Sequence, residues 1–346
     1  MLSIKYNSVI RIVKMFFLLV LVASCATSLT DTTVMVKERK ILVNKRPYLI
    51  KGICYHPVPI GSTKRDFSRL TEDLALMKEA GINTIRVYEP IDNSAVLDEI
   101  SEAGFKLIIG FGYNQEGVYD ILSGTYSAYV EKYKNHKAIL MWELGNEYNY
   151  HPERFENDIE NWYKIMDMAA ITIHGIDNNH PVTTAHGELP DSLALSSSPN
   201  IDVWGMNVYR WDNPEELFEQ WKAVSNKPMY LSEAGGDSYM TITKAGYDKG
   251  VNEKAQADAN DAVLESVFDN LEICSGVALF SFTDGWWKAG NNDVQDIGGH
   301  APNSSGVPYD GAPNEEYWGI VDIDRKKKQA FTVLKEKYLS LSKTNK

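Results

Sequence analysis

Cysteine is scarce: three occur in 346 residues, at positions 25, 54 and 274. That is too few for a disulfide framework to carry the fold, and Cys54 and Cys274 read as buried thiols. Positive charge is also short, with 35 Lys and Arg against 47 Asp and Glu and a formal net charge of −12. Nothing resembles a basic stripe able to neutralise phosphates, which argues against a nucleic-acid partner. No internal repeat recurs at solenoid period, and no linker divides the chain. None of the seven histidines sits in an H-E-x-x-H pattern, and EF-hand spacing is missing. No metal and no cofactor are therefore expected.

Long apolar runs are missing too. The run Met15 to Val22 is too short to span a bilayer. Lys5, Arg11 and Lys14 precede it and Ala23-Ser24-Cys25 follow it, the charged, apolar, small-residue order of an export signal. Val22-Ala23-Ser24-Cys25 further resembles a bacterial lipobox, which implies that Cys25 becomes the lipidated first residue of the mature protein. Residues 1–24 are thus read as a lipoprotein signal peptide, 25–33 as a tether, 34–341 as one folded domain and 342–346 as a tail. The expected location is outside the cytoplasm, with a lipid anchor as the sole membrane attachment.

What is present is material for one large core: 44% hydrophobic residues with 24% charged and 11% aromatic. Val34 to Ile50 alternates around an Asn44-Lys45 turn and predicts a short hairpin, suited to plugging the floor of the main fold. Beyond it, short β-branched runs alternate with longer amphipathic segments, the pattern of βα units around a parallel sheet. Strands are predicted at Ile50 to Tyr55, Thr84 to Tyr88, Lys106 to Phe111, Ala138 to Leu144, Val182 to Ala185, Val203 to Val208, Pro228 to Ser232 and Gly276 to Phe282. Helices are predicted at Phe67 to Ala80, Ile159 to Ile173, Pro214 to Val224, Ala255 to Leu271 and Phe331 to Leu341. Eight strands in this alternation predict an α/β fold, a single-domain (β/α)8 TIM barrel with a short N-terminal hairpin.

In such a barrel the functional residues sit where strands end. The fourth strand runs into Gly145-Asn146-Glu147 and the seventh into Ser232-Glu233, on opposite sides of the mouth. Two carboxylates facing each other are what glycoside hydrolysis needs: an acid to protonate the leaving oxygen and a carboxylate to attack the anomeric carbon or to activate water. Glu143, four residues before Glu147, lies well over ~10 Å deeper at strand spacing and suits a structural salt bridge better.

The surrounding residues carry a more specific likeness. Gly145-Asn146-Glu147 and Leu231-Ser232-Glu233-Ala234-Gly235 resemble the two signatures of clan A glycoside hydrolases, retaining (β/α)8 enzymes. Gly81-Ile82-Asn83-Thr84-Ile85-Arg86-Val87-Tyr88 with Pro90 resembles families 17 and 72, the β-1,3-glucanases and glucanosyltransferases. Asn44-Lys45-Arg46-Pro47-Tyr48, Lys51-Gly52, His56 and Trp318-Gly319-Ile320-Val321-Asp322 resemble family 2, the β-galactosidases and β-glucuronidases. The clan likeness implies Glu147 as general acid/base and Glu233 as nucleophile. It further implies Asn146 as a ligand of the sugar 2-OH, Arg86 and Tyr209 as partners of Glu233, and Trp286 or Trp287 as a stacking platform.

Aromatics gather at the predicted mouth, among them Tyr55, Tyr88, Tyr113, Tyr148, Tyr150, Tyr209 and Trp211, and sugar faces stack on such rings. Tyr113, Tyr148 and His56 are accordingly taken as substrate contacts, with His151 and His186 as further candidates. The long Gly-, Asn- and Asp-rich stretch 289 to 315 is read as a substrate-covering loop. The expected partner is an oligo- or polysaccharide, and the expected activity a retaining β-glycosidase on a neutral polysaccharide, foremost a β-glucan. Alternatives are a β-glucan transglycosylase, a family 2-like β-galactosidase and a catalytically silent glycan-binding lipoprotein.

Overall fold

The structure is a computed structural model that describes residues 32–113, 118–210, 214–299, 310–311 and 313–344. The segment expected to be a signal peptide, Cys25 and Trp211 lie outside the described residues.

Eight parallel strands close into a barrel: Ile50–Cys54, Thr84–Val87, Lys106–Phe111, Ile139–Asn146, Val182–Gly187, Val203–Asn207, Met229–Ala234 and Cys274–Leu279. Closure is made by the last strand on the first, with Gly276 opposite Ile50 and Leu279 opposite Ile53. Gly276 is required there, since a Cβ at that position would lie 2.1 Å from the Ile50 carbonyl oxygen. The strands are buried on both faces, the interior on one side and helices on the other, which explains their continuous apolar runs. Several of the helices between them begin where a short polar side chain caps the first turn. Asn93 accepts from the Ala95 N–H, Asp158 from Glu160 and Asn252 from Ala255. The helix Gln329–Thr344 closes the chain against the first strand, where Tyr338 donates its hydroxyl to the Gly52 carbonyl at 2.9 Å.

The N-terminal hairpin is a three-stranded meander, Val34–Lys37, Lys40–Val43 and Arg46–Pro47, one strand more than its alternation suggests. Its second turn places Asn44 and Lys45 both at positive φ, 51° and 65°, the geometry of a tight two-residue hairpin turn. Val34 and Ile41 pack with Ile50, Ile108, Leu140, Met141, Val203 and Tyr230 from the barrel strands, and so seal the floor.

Two irregularities aim the mouth. Register shifts occur between Leu144 and Asn146 in the fourth strand and between Leu231 and Glu233 in the seventh. Each is a bulge one or two residues before a rim glutamate, and bulges bend a strand and re-aim the side chains that follow. Gly145 makes the first one possible: its φ is +70°, and a Cβ there would stand 2.6 Å from the Trp162 ring. The eighth strand ends at Leu279, three residues before the expected Phe282. Past Leu279 the pairing turns irregular: the Phe280 and Phe282 N–H groups still bond the Ala234 and Cys54 carbonyls of the neighbouring strands, whereas the Ser281 N–H bonds the Trp318 carbonyl.

Candidate active site

Arg86 organises the interior. It sits mid-strand with no solvent exposure, and its three nitrogens are fully used. Nε and Nη2 grip the Glu143 carboxylate at 2.8 Å each, Nη2 also donates to Asn146 Oδ1 at 2.7 Å, and Nη1 reaches Glu233 Oε1 at 2.8 Å. Burial opposes the guanidinium charge, but Glu143 and the neighbouring groups hold its pKa well above the ordinary value. A buried cation is tolerated only with such partners. Glu143, 1% exposed, also accepts from Tyr230 OH at 3.1 Å. It belongs to the barrel wall, as its depth in the strand suggests.

Glu233 accepts from donors alone. Arg86 Nη1 and Tyr88 OH bind its Oε1 at 2.8 and 2.7 Å, and Tyr209 OH binds Oε2 at 2.7 Å. Burial, reinforced by the Glu233 charge, holds both tyrosine hydroxyls well above their ordinary pKa, so they stay protonated and keep donating. Three donors, one of them charged, suit a carboxylate and not a carboxylic acid.

Glu147 has the opposite surroundings. Its backbone is left-handed (φ 56°), and its N–H is tied to the Ala185 carbonyl at 2.8 Å. Burial first, then the nearby Glu233 charge, push its carboxyl up to about 7, while Asn207, Arg86 and Lys288 pull the other way. Asn207 also donates to Asn146 Oδ1 at 3.1 Å and is itself fixed by Ser232 Oγ at 2.7 Å. With Asn146 Oδ1 occupied by Arg86 and Asn207, its NH2 is the end available to a ligand.

The structure thus brings Glu147, Glu233, Asn146, Arg86 and Tyr209 together as one connected group. Sequence reasoning placed Tyr88 only among the rim aromatics and missed Asn207. Tyr88 follows Arg86 by two residues and so shares its face of the strand. Asn207 ends the sixth strand, where the strand-end rule would have found it.

Other expected contacts are distributed differently. His56 packs against Trp287 with ring centres 4.7 Å apart and planes tilted by 38°, and among the described residues its Nδ1 is buried without a partner, as is Trp286 Nε1. Burial first, then the charges of Arg65 and Lys288, lower the His56 pKa to about 3, so the ring is neutral. Tyr113 and Tyr148 pack inward instead of lining an open rim. Tyr148 OH accepts the Tyr113 N–H at 2.8 Å, and both rings contact Phe155 and Trp162. Tyr148 still borders a cleft shared with Tyr88, Asn146, Glu147, His151 and Arg154. His186 uses both ring nitrogens internally, on Tyr163 OH and the Glu188 carbonyl. From the eighth strand, the ring beside Tyr209 is Phe280 at 6.5 Å; Trp318 adjoins both.

The loop after the eighth strand is anchored by a buried Lys328–Asp284 pair at 2.6 Å and by Glu316, which accepts the Ala289 and Asp296 N–H groups. Among the described residues no three His, Cys, Asp or Glu side chains gather as metal donors.

Chemically, the arrangement offers a carboxyl gripped by three donors and, across the same mouth, one held up to about 7 that can give or take a proton near neutrality. The comparisons fit that geometry. Residues 34–250 match the family described as glycosyl hydrolases family 2, TIM barrel domain. A beta-glucuronidase of Sus scrofa is 24% identical over 229 residues, 60% of this chain and 33% of that protein. A 1,3-beta-glucanosyltransferase of Schizosaccharomyces pombe is 24% identical over 289 residues, 72% of this chain and 52% of that one. The solved beta-galacturonidase of Eisenbergiella tayi bound to galacturonate superposes with a TM-score of 0.65 at 23% identity, covering 89% of this chain and 54% of that chain. The chain therefore spans from a third to about half the length of these relatives. By the extent of the family match and by its closed eight-stranded barrel, the chain belongs to the TIM-barrel domain family of the family 2 glycosyl hydrolases.

Proposed function

We propose that this protein is a retaining β-glycosidase with Glu233 as nucleophile and Glu147 as general acid/base. The observation that carries the reading is their asymmetry: Glu233 is surrounded by three donors, and Glu147 is held up to about 7. In the first step Glu233 attacks the anomeric carbon, most openly through Oε2, which has a single donor. Glu147 gives its proton to the departing oxygen, and the glycosidic C–O bond breaks as the ester to Glu233 forms. In the second step ionised Glu147 takes a proton from water, whose oxygen attacks the same carbon and releases Glu233.

Asn146 would bind the sugar 2-OH through its free NH2, a contact that strengthens as charge develops at the anomeric centre. The unpartnered His56 Nδ1 and Trp286 Nε1 are available to other hydroxyls, and Trp287, Phe280 and Trp318 supply apolar faces.

For substrate we favour a neutral β-glucan. The support is the likeness of the second strand, Gly81 to Tyr88, to the β-1,3-glucanases and glucanosyltransferases, together with the glucanosyltransferase match over 72% of the chain. A sugar acceptor in place of water in the second step would make the protein a transglycosylase. The second reading is a family 2-like action on single terminal sugars, favoured by the family match itself; uronic acids are named for two of the relatives. The lipobox at Cys25 supports export and lipid anchoring.

The test is labelling with 2-deoxy-2-fluoro β-glycosides, followed by intact mass and peptide mapping, beside a panel of β-1,3-, β-1,4-, β-1,6- and β-1,2-glucans and galactans. A stable adduct on Glu233 is expected. An adduct elsewhere, or inversion at the anomeric centre, would overturn the assignment.

A further inference from the structure

The charge bookkeeping at the mouth bears on which sugar can enter. Glu143, Glu147 and Glu233 already place three carboxyl groups around one buried guanidinium, Arg86. A sugar bearing its own carboxylate needs a further cation with donors to spare, because a desolvated like charge beside these groups is strongly disfavoured. Besides Arg86, the cations that act on the reacting and rim groups are Lys288, Arg65, Arg154 and Arg210, the last paired with Glu188 at 2.7 Å. Arg65 is consumed by Glu89 at 2.8 Å and by the Glu89 and Pro90 carbonyls.

Lys288 lies on the Tyr209 side of the site. Its Nζ lies 4.7 Å from the centre of the Phe280 ring, which sits edge-on to Tyr209, the donor to Glu233 Oε2. That ammonium would be the natural anchor for a sugar carboxylate, but Glu315 holds it at 2.5 Å. The pair is largely shielded, with side-chain exposures of 24% and 19%, and the backbone of Glu315 is itself tied to the Gly299 carbonyl at 2.9 Å. Arg154 borders the cleft, but it is exposed and stacked 5.3 Å over Tyr148, on the turn that follows Glu147. Residues 114–117, 211–213, 300–309 and 312 contain no Lys or Arg.

We propose that Glu315 is a specificity-determining residue: by neutralising Lys288 it withholds the shielded cation beside Tyr209 from a sugar carboxylate, so the site favours neutral glycosides over the corresponding uronides. This rests on the glycosidase reading above. Glu315 acts through Lys288 and is a positioning residue that takes no part in the chemistry.

The experiment compares matched substrates that differ only at C6: aryl β-glucoside against aryl β-glucuronide, and a soluble β-1,3-glucan against its C6-oxidised form. Wild type should cleave the neutral member of each pair preferentially. Glu315→Gln should raise the uronide-to-neutral ratio of kcat/KM by on the order of tenfold, the effect of one charge-assisted hydrogen bond released to the substrate. Glu315→Asp should restore the wild-type ratio, and Lys288→Met in the Glu315→Gln background should abolish the gain. A purely structural role would lower both activities together and leave their ratio fixed, which would overturn the proposal; so would a wild-type preference for the uronides. If neither member of either pair is cleaved and no adduct forms on Glu233, the glycosidase reading itself fails, and the inference with it.

Discussion

Arg86 reaches Glu233 with Nη1 alone, while Nε and Nη2 are committed to Glu143 and Asn146. One planar side chain thereby fixes the wall carboxylate, the rim carboxylate and the amide between them. Lysine has the charge but not the fork. We therefore expect Arg86→Lys to fold with reduced thermal stability and to lose kcat/KM by roughly 10²-fold or more, because the three donors of an ammonium radiate from one nitrogen and cannot span partners set around a planar fork. Calorimetry alongside kinetics checks this. Near-wild-type activity would show that Glu233 needs no guanidinium.

Glu147 predicts the pH dependence. Its carboxyl, at about 7, must carry the proton to act as acid, so kcat/KM should fall as pH rises through that value. Removing the second cause of the shift, the Glu233 charge, should lower the value, while burial keeps it above the ordinary 4.5. Carbon NMR of the Glu147 carboxyl in Glu233→Gln reads this directly, and an unchanged titration would deny the coupling. The same shift has a stability consequence. Both folded and unfolded chains are protonated here at low pH, and only the unfolded chain ionises freely above about 4.5. Stability is thus lost as pH climbs from there through 7, and Glu147→Gln should raise Tm more at pH 8 than at pH 4.

The two tyrosines on Glu233 are not equivalent. Without Tyr88, Oε1 still has Arg86; without Tyr209, Oε2 has no donor left. Tyr209→Phe should cost on the order of 10²-fold in kcat, the scale of a lost preorganised donor, and Tyr88→Phe nearer tenfold. Both should leave folding intact, since each keeps its ring. The order of the two effects is the measurement, and a reversed order would place the reacting oxygen at Oε1.

Much of this was legible in the sequence for a simple reason. Barrel strands are short and parallel, so their last residues project into one mouth, and a strand-end rule finds Glu147 and Glu233, while the clan resemblance points to Arg86, Asn146 and Tyr209. What escaped depends on features that periodicity does not encode. The bulges before Glu147 and Glu233 arise from local register, not composition. Leu279-Phe280-Ser281-Phe282 reads as strand, yet the Ser281 amide turns to the Trp318 carbonyl between two amides that still bond barrel strands, and the ring it leaves beside Tyr209 is Phe280. Tyr113 and Tyr148 show the limit of counting rings near strand ends, because nothing in the sequence says how deep a ring lies. The Lys288–Glu315 pair joins residues far apart in a loop with no regular pattern, and only the folded chain shows it.

The acid/base role proposed for Glu147 separates cleanly from the nucleophilic role proposed for Glu233 when the acid is removed. Glu147→Ala deletes the proton donor and leaves a small void beside the anomeric carbon, with Glu233 and its three donors untouched. A substrate with a good leaving group, such as a dinitrophenyl glycoside, needs no protonation and should still form the glycosyl-enzyme. Its breakdown then stalls, because no base remains to activate water. Azide requires no base and fits the void, so it should restore turnover and yield a β-glycosyl azide, retention being the product of two inversions. The corresponding Glu233→Ala variant has no first step to rescue in that manner; there azide must attack the substrate directly and give the α-azide. The anomeric configuration of the two azide products therefore assigns both glutamates, and a β-azide from Glu233→Ala would exchange their roles.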